Sequence, residues 1–248
     1  MDYYICGIGF VTPESFGCGR DFKTFNPKPG KLSPITRKDV LEKPYKPFGR
    51  MDFFSKIGFT GAYFAYKDAQ LITAEPVENN KTSNTAIVVS THFRCLDTDN
   101  NYFQTIKSEN GKNASPALFA YALPNAFLGE TSIYLKTTGQ CFAINEDSTN
   151  GITALKMTFD ILNSEESEIV ICGVCDVNIP KILEKQLNNR DDCFAGSLFF
   201  TISKKEQKHN YGKIKEDENG NFFFNEKNIE SLLDLAQVCI ENNKLRTI

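Results

Sequence analysis

The stretch with the clearest chemical potential is Gly139-Gln140-Cys141-Phe142-Ala143-Ile144-Asn145-Glu146-Asp147-Ser148-Thr149-Asn150-Gly151. A short apolar run stops at Asn145-Glu146-Asp147. Ser148 then opens a segment with Ile152, Ala154, Leu155, Phe159, Ile161 and Leu162. This order reads as a strand, a tight turn and a helix start. A hydroxyl placed there sits where unpaired backbone N–H groups favour developing negative charge, which is how many enzymes present a nucleophile. The plainer role of the same residues is that Ser148 or Asp147 caps a helix. Local sequence leaves both open.

The other reactive side chains are sparse. His92 follows a β-branched run and reads as a hydrogen-bonded loop histidine, and His209 lies in a polar stretch. Cys172 and Cys175 form a Cys-x-x-Cys inside a strand-like run, where they point to opposite faces and suit neither a metal nor a disulfide. Gly7-Ile8-Gly9 lacks a third glycine and meets Pro13 at once, so it is not a dinucleotide fingerprint. The eight cysteines, mostly inside apolar runs, read as reduced buried thiols of a cytoplasmic chain. A net charge of -3 over 248 residues gives no basic nucleic-acid surface. No apolar run approaches the ~18 residues of a membrane span, and Met1-Asp2-Tyr3 does not open a signal peptide.

The elements that must position these groups follow in order. Residues 3–11 read as a first strand, and 13–53, with six prolines, as a long loop. Residues 55–71 read as a buried helix capped by Ser55. The loop Glu78-Asn79-Asn80-Lys81 leads into a strand at 85–90. A short helix over 97–108 starts at Asp97 and ends before Gly111, and Ser115 to Leu123 runs apolar into Pro124-Asn125. Strands are expected at 168–175 and 193–203. Composition changes at Lys204. Tyr211 to Phe224 suggests a hairpin turning at Asn219-Gly220, and 228–241 an amphipathic helix. The pattern is α/β, a mixed sheet between helices.

Pro124-Asn125, Gly129, Ser132-Ile133, Gly139 and Ser148-Thr149-Asn150-Gly151 fall at a spacing that resembles the β-ketoacyl synthases of the thiolase superfamily. In that pattern a proline-asparagine pair leads to a glycine, a short strand, a Gly-Pro step and a nucleophilic cysteine. The resemblance covers residues 3–204. It implies a thiolase-like domain made of the N-terminal half alone, with a C-terminal hairpin-plus-helix appendage over 205–248.

Here Ser148 stands at the cysteine position. The second half of such enzymes, with its two histidines, has no counterpart, and neither His92 nor His209 matches them. Glu146 and Asp147 are poor bases for an alcohol, and their charge opposes an oxyanion. The resemblance therefore implies a non-condensing, chain-length-factor-like subunit of the aryl polyene or flexirubin type, with no catalytic residue, cofactor or metal. Its expected partner is a full-length synthase in a heterodimer, with acyl carrier protein reached through the complex. Leu118, Phe119, Asn125 and Ile133 are the expected tunnel or interface residues. Two other readings stay open: a serine acyltransferase or starter-selecting enzyme using Ser148 with a base contributed by another chain, and a scaffold that recruits acyl carrier protein. The apolar helix behind Ser148 is expected to be buried on more than one face, leaving a large apolar patch for the partner.

Overall fold

A computed structural model describes residues 2–22, 24–28, 30–71, 83–107, 111–177, 183 and 194–245. The Glu78–Lys81 loop, Ser108 and Cys193 lie outside the described residues. The chain opens with β1 (Tyr3–Val11) and β2 (Phe16–Cys18). Short helices α1 (Arg37–Val40) and α2 (Lys46–Arg50) precede the long α3 (Phe53–Asp68). Then come β3 (Thr85–Thr91), α4 (Leu96–Lys107), α5 (Pro116–Phe119), α6 (Ala126–Leu135) and β4 (Cys141–Asn145). After α7 (Ile152–Asn163) follow β5 (Ile169–Asp176), β6 (Gly196–Ser203), β7 (Gly212–Glu216), β8 (Phe222–Phe224), β9 (Lys227–Ile229) and α8 (Leu232–Leu245).

Among the described residues the strands build one nine-stranded sheet in the order β4-β3-β5-β6-β1-β7-β8-β9, with β2 also paired to β1. β3 runs parallel to both β4 and β5, and the remaining pairs are antiparallel. Alternation along β3 divides the core. Ala86 and Val88 face α7 and α8, whereas Ile87 and Val89 face α3 and α6. Cys172 and Cys175 separate the same way and are both buried, as their strand spacing requires.

Burial of α3 depends on glycine. A Cβ on Gly9 would lie 2.1 Å from the Ala65 nitrogen and 2.3 Å from the Gly61 oxygen, and one on Gly7 would lie 2.2 Å from the Ala65 oxygen. The Gly-Ile-Gly of β1 therefore lets a helix backbone approach the strand. Asp52, not Ser55, caps α3: its Oδ1 accepts from the Ser55 N–H at 2.9 Å, because the helix begins two residues earlier than its apolar pattern suggests.

The residues after Pro124-Asn125 also differ from expectation. Gly129 and Ser132-Ile133 belong to helix α6, which ends on a left-handed Lys136, so the short strand comes only after Gly139, as β4. Helix α7 begins at Ile152, behind Gly151 at φ 77°, and not at Ser148. Its buried residues Ala154, Leu155, Phe159, Ile161 and Leu162 share one core with Leu232, Leu235, Ala236, Cys239 and Ile240 of α8. Thr153, Lys156, Asp160 and Asn163 stay exposed, so α7 keeps a solvent stripe and α8 takes the apolar area expected to face a partner.

The hairpin β7–β8, with its turn closed by Asp217 and Asn221, continues the main sheet through Tyr3–Ile5 of β1. A buried polar knot fastens this segment. Asp68 accepts from the Ile8 N–H (2.8 Å) and the Tyr211 hydroxyl (2.7 Å), and pairs with Arg20 at 3.2 Å.

Candidate functional site

The parallel strands β3, β4 and β5 deliver Thr91, Asn145 and Asp176 to their carboxyl ends, the side of an α/β sheet where ligands ordinarily bind. Beyond β4 the chain makes a run of bends through Asp147, Ser148 and Asn150 before α7 starts. Ser148 is exposed. Among the described residues the hydrogen bond at its hydroxyl is from the Asn150 N–H, at 3.4 Å. No base touches it.

The α7 N-terminus is already occupied. Oε1 of Glu146 accepts from the Thr153 N–H at 3.0 Å and the Thr153 hydroxyl at 2.8 Å, and Asn150 Oδ1 accepts from the Ile152 N–H at 3.0 Å. A carboxylate thus takes the donors that would stabilise an oxyanion, and its charge repels one. The capping role weighed for Ser148 or Asp147 falls instead to Glu146 and Asn150. The other carboxylate oxygen, Oε2, is buried with no hydrogen-bond partner among the described residues.

His92 stays in the loop after β3. Its Nδ1 lies 2.9 Å from the Glu146 carbonyl, which can only accept, so Nδ1 carries the proton. His209 is remote in role: its carbonyl accepts from Arg20 Nη2 at 2.9 Å. Asp176 organises the loop from below. Its fully buried carboxylate accepts from the Thr91 hydroxyl (2.9 Å), the His92 N–H (2.9 and 3.0 Å to its two oxygens) and the Phe93 N–H (2.8 Å). Burial pushes its pKa up to about 6, against the opposing pull of those backbone and hydroxyl donors. Sequence reading passed over Asp176, whose signal is one acidic residue closing an otherwise apolar strand.

The expected tunnel and interface residues fall on two neighbouring pieces. Leu118, half-buried, and Phe119, 63% exposed, sit on α5, where the Phe119 ring meets Tyr102 of α4. Asn125 is exposed at the start of α6, and Ile133 on that helix is 71% exposed. α6 packs beside β4, whose Phe142 is also exposed, as is Leu123 in the α5–α6 turn. Sequence reading did not single out Leu123 or Phe142, because single apolar residues in short elements look like core. β4 itself ends the sheet, so one side of its backbone has no strand partner among the described residues.

Residues 38–190 match the family described as Beta-ketoacyl synthase, N-terminal domain. The chain belongs to the β-ketoacyl synthase family. Among solved structures it is similar to the ishigamide ketosynthase/chain length factor, with TM-score 0.63 and 14% identity over 85% of this chain and 64% of that one. It is similar as well to AntDE:AntF, a type II PKS acyl-carrier protein in complex with its ketosynthase bound to the hexaketide (TM-score 0.63, 14% identity, 86% of this chain and 67% of that one). A third is the ketosynthase ApeO in complex with its chain length factor ApeC from Xenorhabdus doucetiae, with TM-score 0.59 and 13% identity over 83% of this chain and 80% of that one. No curated protein matches the chain. These likenesses establish the thiolase-like fold. The chain spans about two thirds of the length of the first two structures. Among the described residues no helix is long and apolar enough to cross a membrane.

Proposed function

We propose that this β-ketoacyl synthase family member is a non-condensing, chain-length-factor-like subunit. It pairs with a catalytically complete synthase and shapes that partner's acyl tunnel, in cytoplasmic biosynthesis of the aryl polyene or flexirubin type. The observation that carries this reading is the α7 N-terminus. There the Glu146 carboxylate holds the Thr153 donors while Ser148, at the expected nucleophile position, has no base among the described residues. A serine hydroxyl in that setting remains protonated and unreactive toward a thioester. The chain-length-factor complexes among the similar structures support the partner, and acyl carrier protein reaches this chain through the complex. The exposed Phe119, Leu123, Ile133 and Phe142 support a face that meets it.

Co-expression with a catalytically complete synthase tests the pairing, and two variants test the role. Ser148→Ala in the purified complex is expected to change turnover by less than about threefold. A drop of several orders of magnitude, with acylation of wild-type Ser148 by a thioester probe, would make it a serine acyltransferase instead. Leu118→Trp is expected to shorten the partner's products while the pair stays intact. Unchanged product length would reduce the chain to a scaffold for the synthase or for acyl carrier protein.

A further inference from the structure

A second feature at the carboxyl ends of the strands is independent of Ser148. A cavity of about 320 Å³ opens between the loop after β3, the end of β4 and the first turn of α4. Cavities of this size suit small organic ligands. Its polar lining includes Arg94, Asn145 and Asp99, and its apolar lining includes Phe93 and Leu96.

The Arg94 side chain is set for recognition. Its backbone is left-handed at φ 55°, a conformation costly for a branched or long residue, and its N–H is tied to Thr91 Oγ1 at 2.9 Å. That turn is in turn fixed by the buried Asp176 carboxylate. Arg94 Nε donates to Asn145 Oδ1 at 2.6 Å, which orients the guanidinium and leaves its terminal NH₂ groups without a hydrogen-bond partner among the described residues. The same bond uses the Asn145 oxygen and so leaves the amide N–H donors of Asn145 beside the guanidinium. Two donor groups, one charged, therefore line a cavity with an apolar floor.

From this we infer that the cavity binds a small monocarboxylate with an apolar body, the carboxylate on Arg94 and Asn145 and the body on Phe93 and Leu96. A planar carboxylate matches the guanidinium edge. A dianion such as phosphate is disfavoured, because among the described residues Arg94 is the one guanidinium lining the cavity and Asp99 adds a negative charge to the same wall. The site lies on this chain alone, so it is read without the synthase, and its failure leaves the pairing proposal untouched.

Titration of the isolated full-length chain with sodium hexanoate, hexanamide and inorganic phosphate, by calorimetry and ligand-observed NMR, tests the inference. Hexanoate should bind saturably. Hexanamide, with the same shape and no charge, should bind about tenfold more weakly. Arg94→Gln should cost hexanoate about tenfold and abolish the preference for acid over amide. Leu96→Ala should weaken acid and amide alike. Arg94 is exposed, and an unchanged melting temperature would show that its variant folds. Absence of saturable hexanoate binding would overturn the proposal, as would equal affinity for acid and amide, an Arg94→Gln chain that binds like wild type, or tighter binding of phosphate than of hexanoate.

Discussion

A chain carrying Ala143→Pro should fail to co-purify with the proposed synthase partner while melting within a few degrees of wild type. The register of β4 gives the reason. The Ile87 N–H bonds to the Gln140 carbonyl at 2.8 Å and the Glu146 N–H bonds to the Thr91 carbonyl at 3.1 Å. Alternation between them turns the N–H groups of Phe142 and Ile144 toward β3 and those of Cys141, Ala143 and Asn145 outward. A proline at 143 removes one outward donor and leaves the β3–β4 ladder whole, which is why edge strands tolerate it. An added strand from the partner would lose that hydrogen bond and meet the ring.

The companion variant attacks the side chains. Ile133→Asp with Phe142→Asp removes two exposed apolar residues, each worth roughly 1.5–3 kcal/mol if buried by a partner. It also places two carboxylates where they would be desolvated, a further cost of several kcal/mol. Together the changes should weaken association by at least about a thousandfold, enough to abolish co-elution at micromolar concentration. Retention of the synthase by both variants would remove β4 and α6 from the interface. Neither change touches the Arg94 cavity floor, so hexanoate titration of the same proteins serves as a folding control.

The fold was legible where one period dominates. β1 was readable at its observed bounds, and β3, β5 and β6 within a few residues, because buried β-branched runs leave no alternative. Helix α6 was misread from a glycine and a Ser-Ile pair, since its apolar residues are spread around it and give no clear face. The site was less legible than the fold. That Ser148 stands where the resemblance expects a nucleophilic cysteine is visible in the letters alone. That Glu146 reaches seven residues forward to cap α7 is not, because it depends on the helix starting after a left-handed Gly151. Asp176 lies 82 residues beyond Arg94, and only the parallel pairing of β3 with β5 brings it beneath the same loop.

Asp176 also supplies the largest pH effect expected of the fold. Its pKa rises from 3.8 to about 6 because burial penalises the charged form more than its donors favour it. The folded state therefore holds this proton more tightly than the unfolded chain. The stabilisation so gained is full below about pH 4 and is lost as pH rises through about 6. Two pKa units correspond to about 3 kcal/mol. Asp176→Asn removes the titration, and it also sets an amide NH₂ against the His92 N–H that now meets Oδ2 at 2.9 Å, so the variant is the less stable protein at low pH. The gap between wild type and variant should then shrink by about 3 kcal/mol between about pH 4 and about pH 7. Denaturant unfolding of both proteins across that range measures it directly. Parallel stability curves would mean that the Thr91, His92 and Phe93 donors hold Asp176 ionised throughout. The turn that presents Arg94 would then rest on a permanent buried charge rather than on a carboxyl that takes up a proton in mild acid.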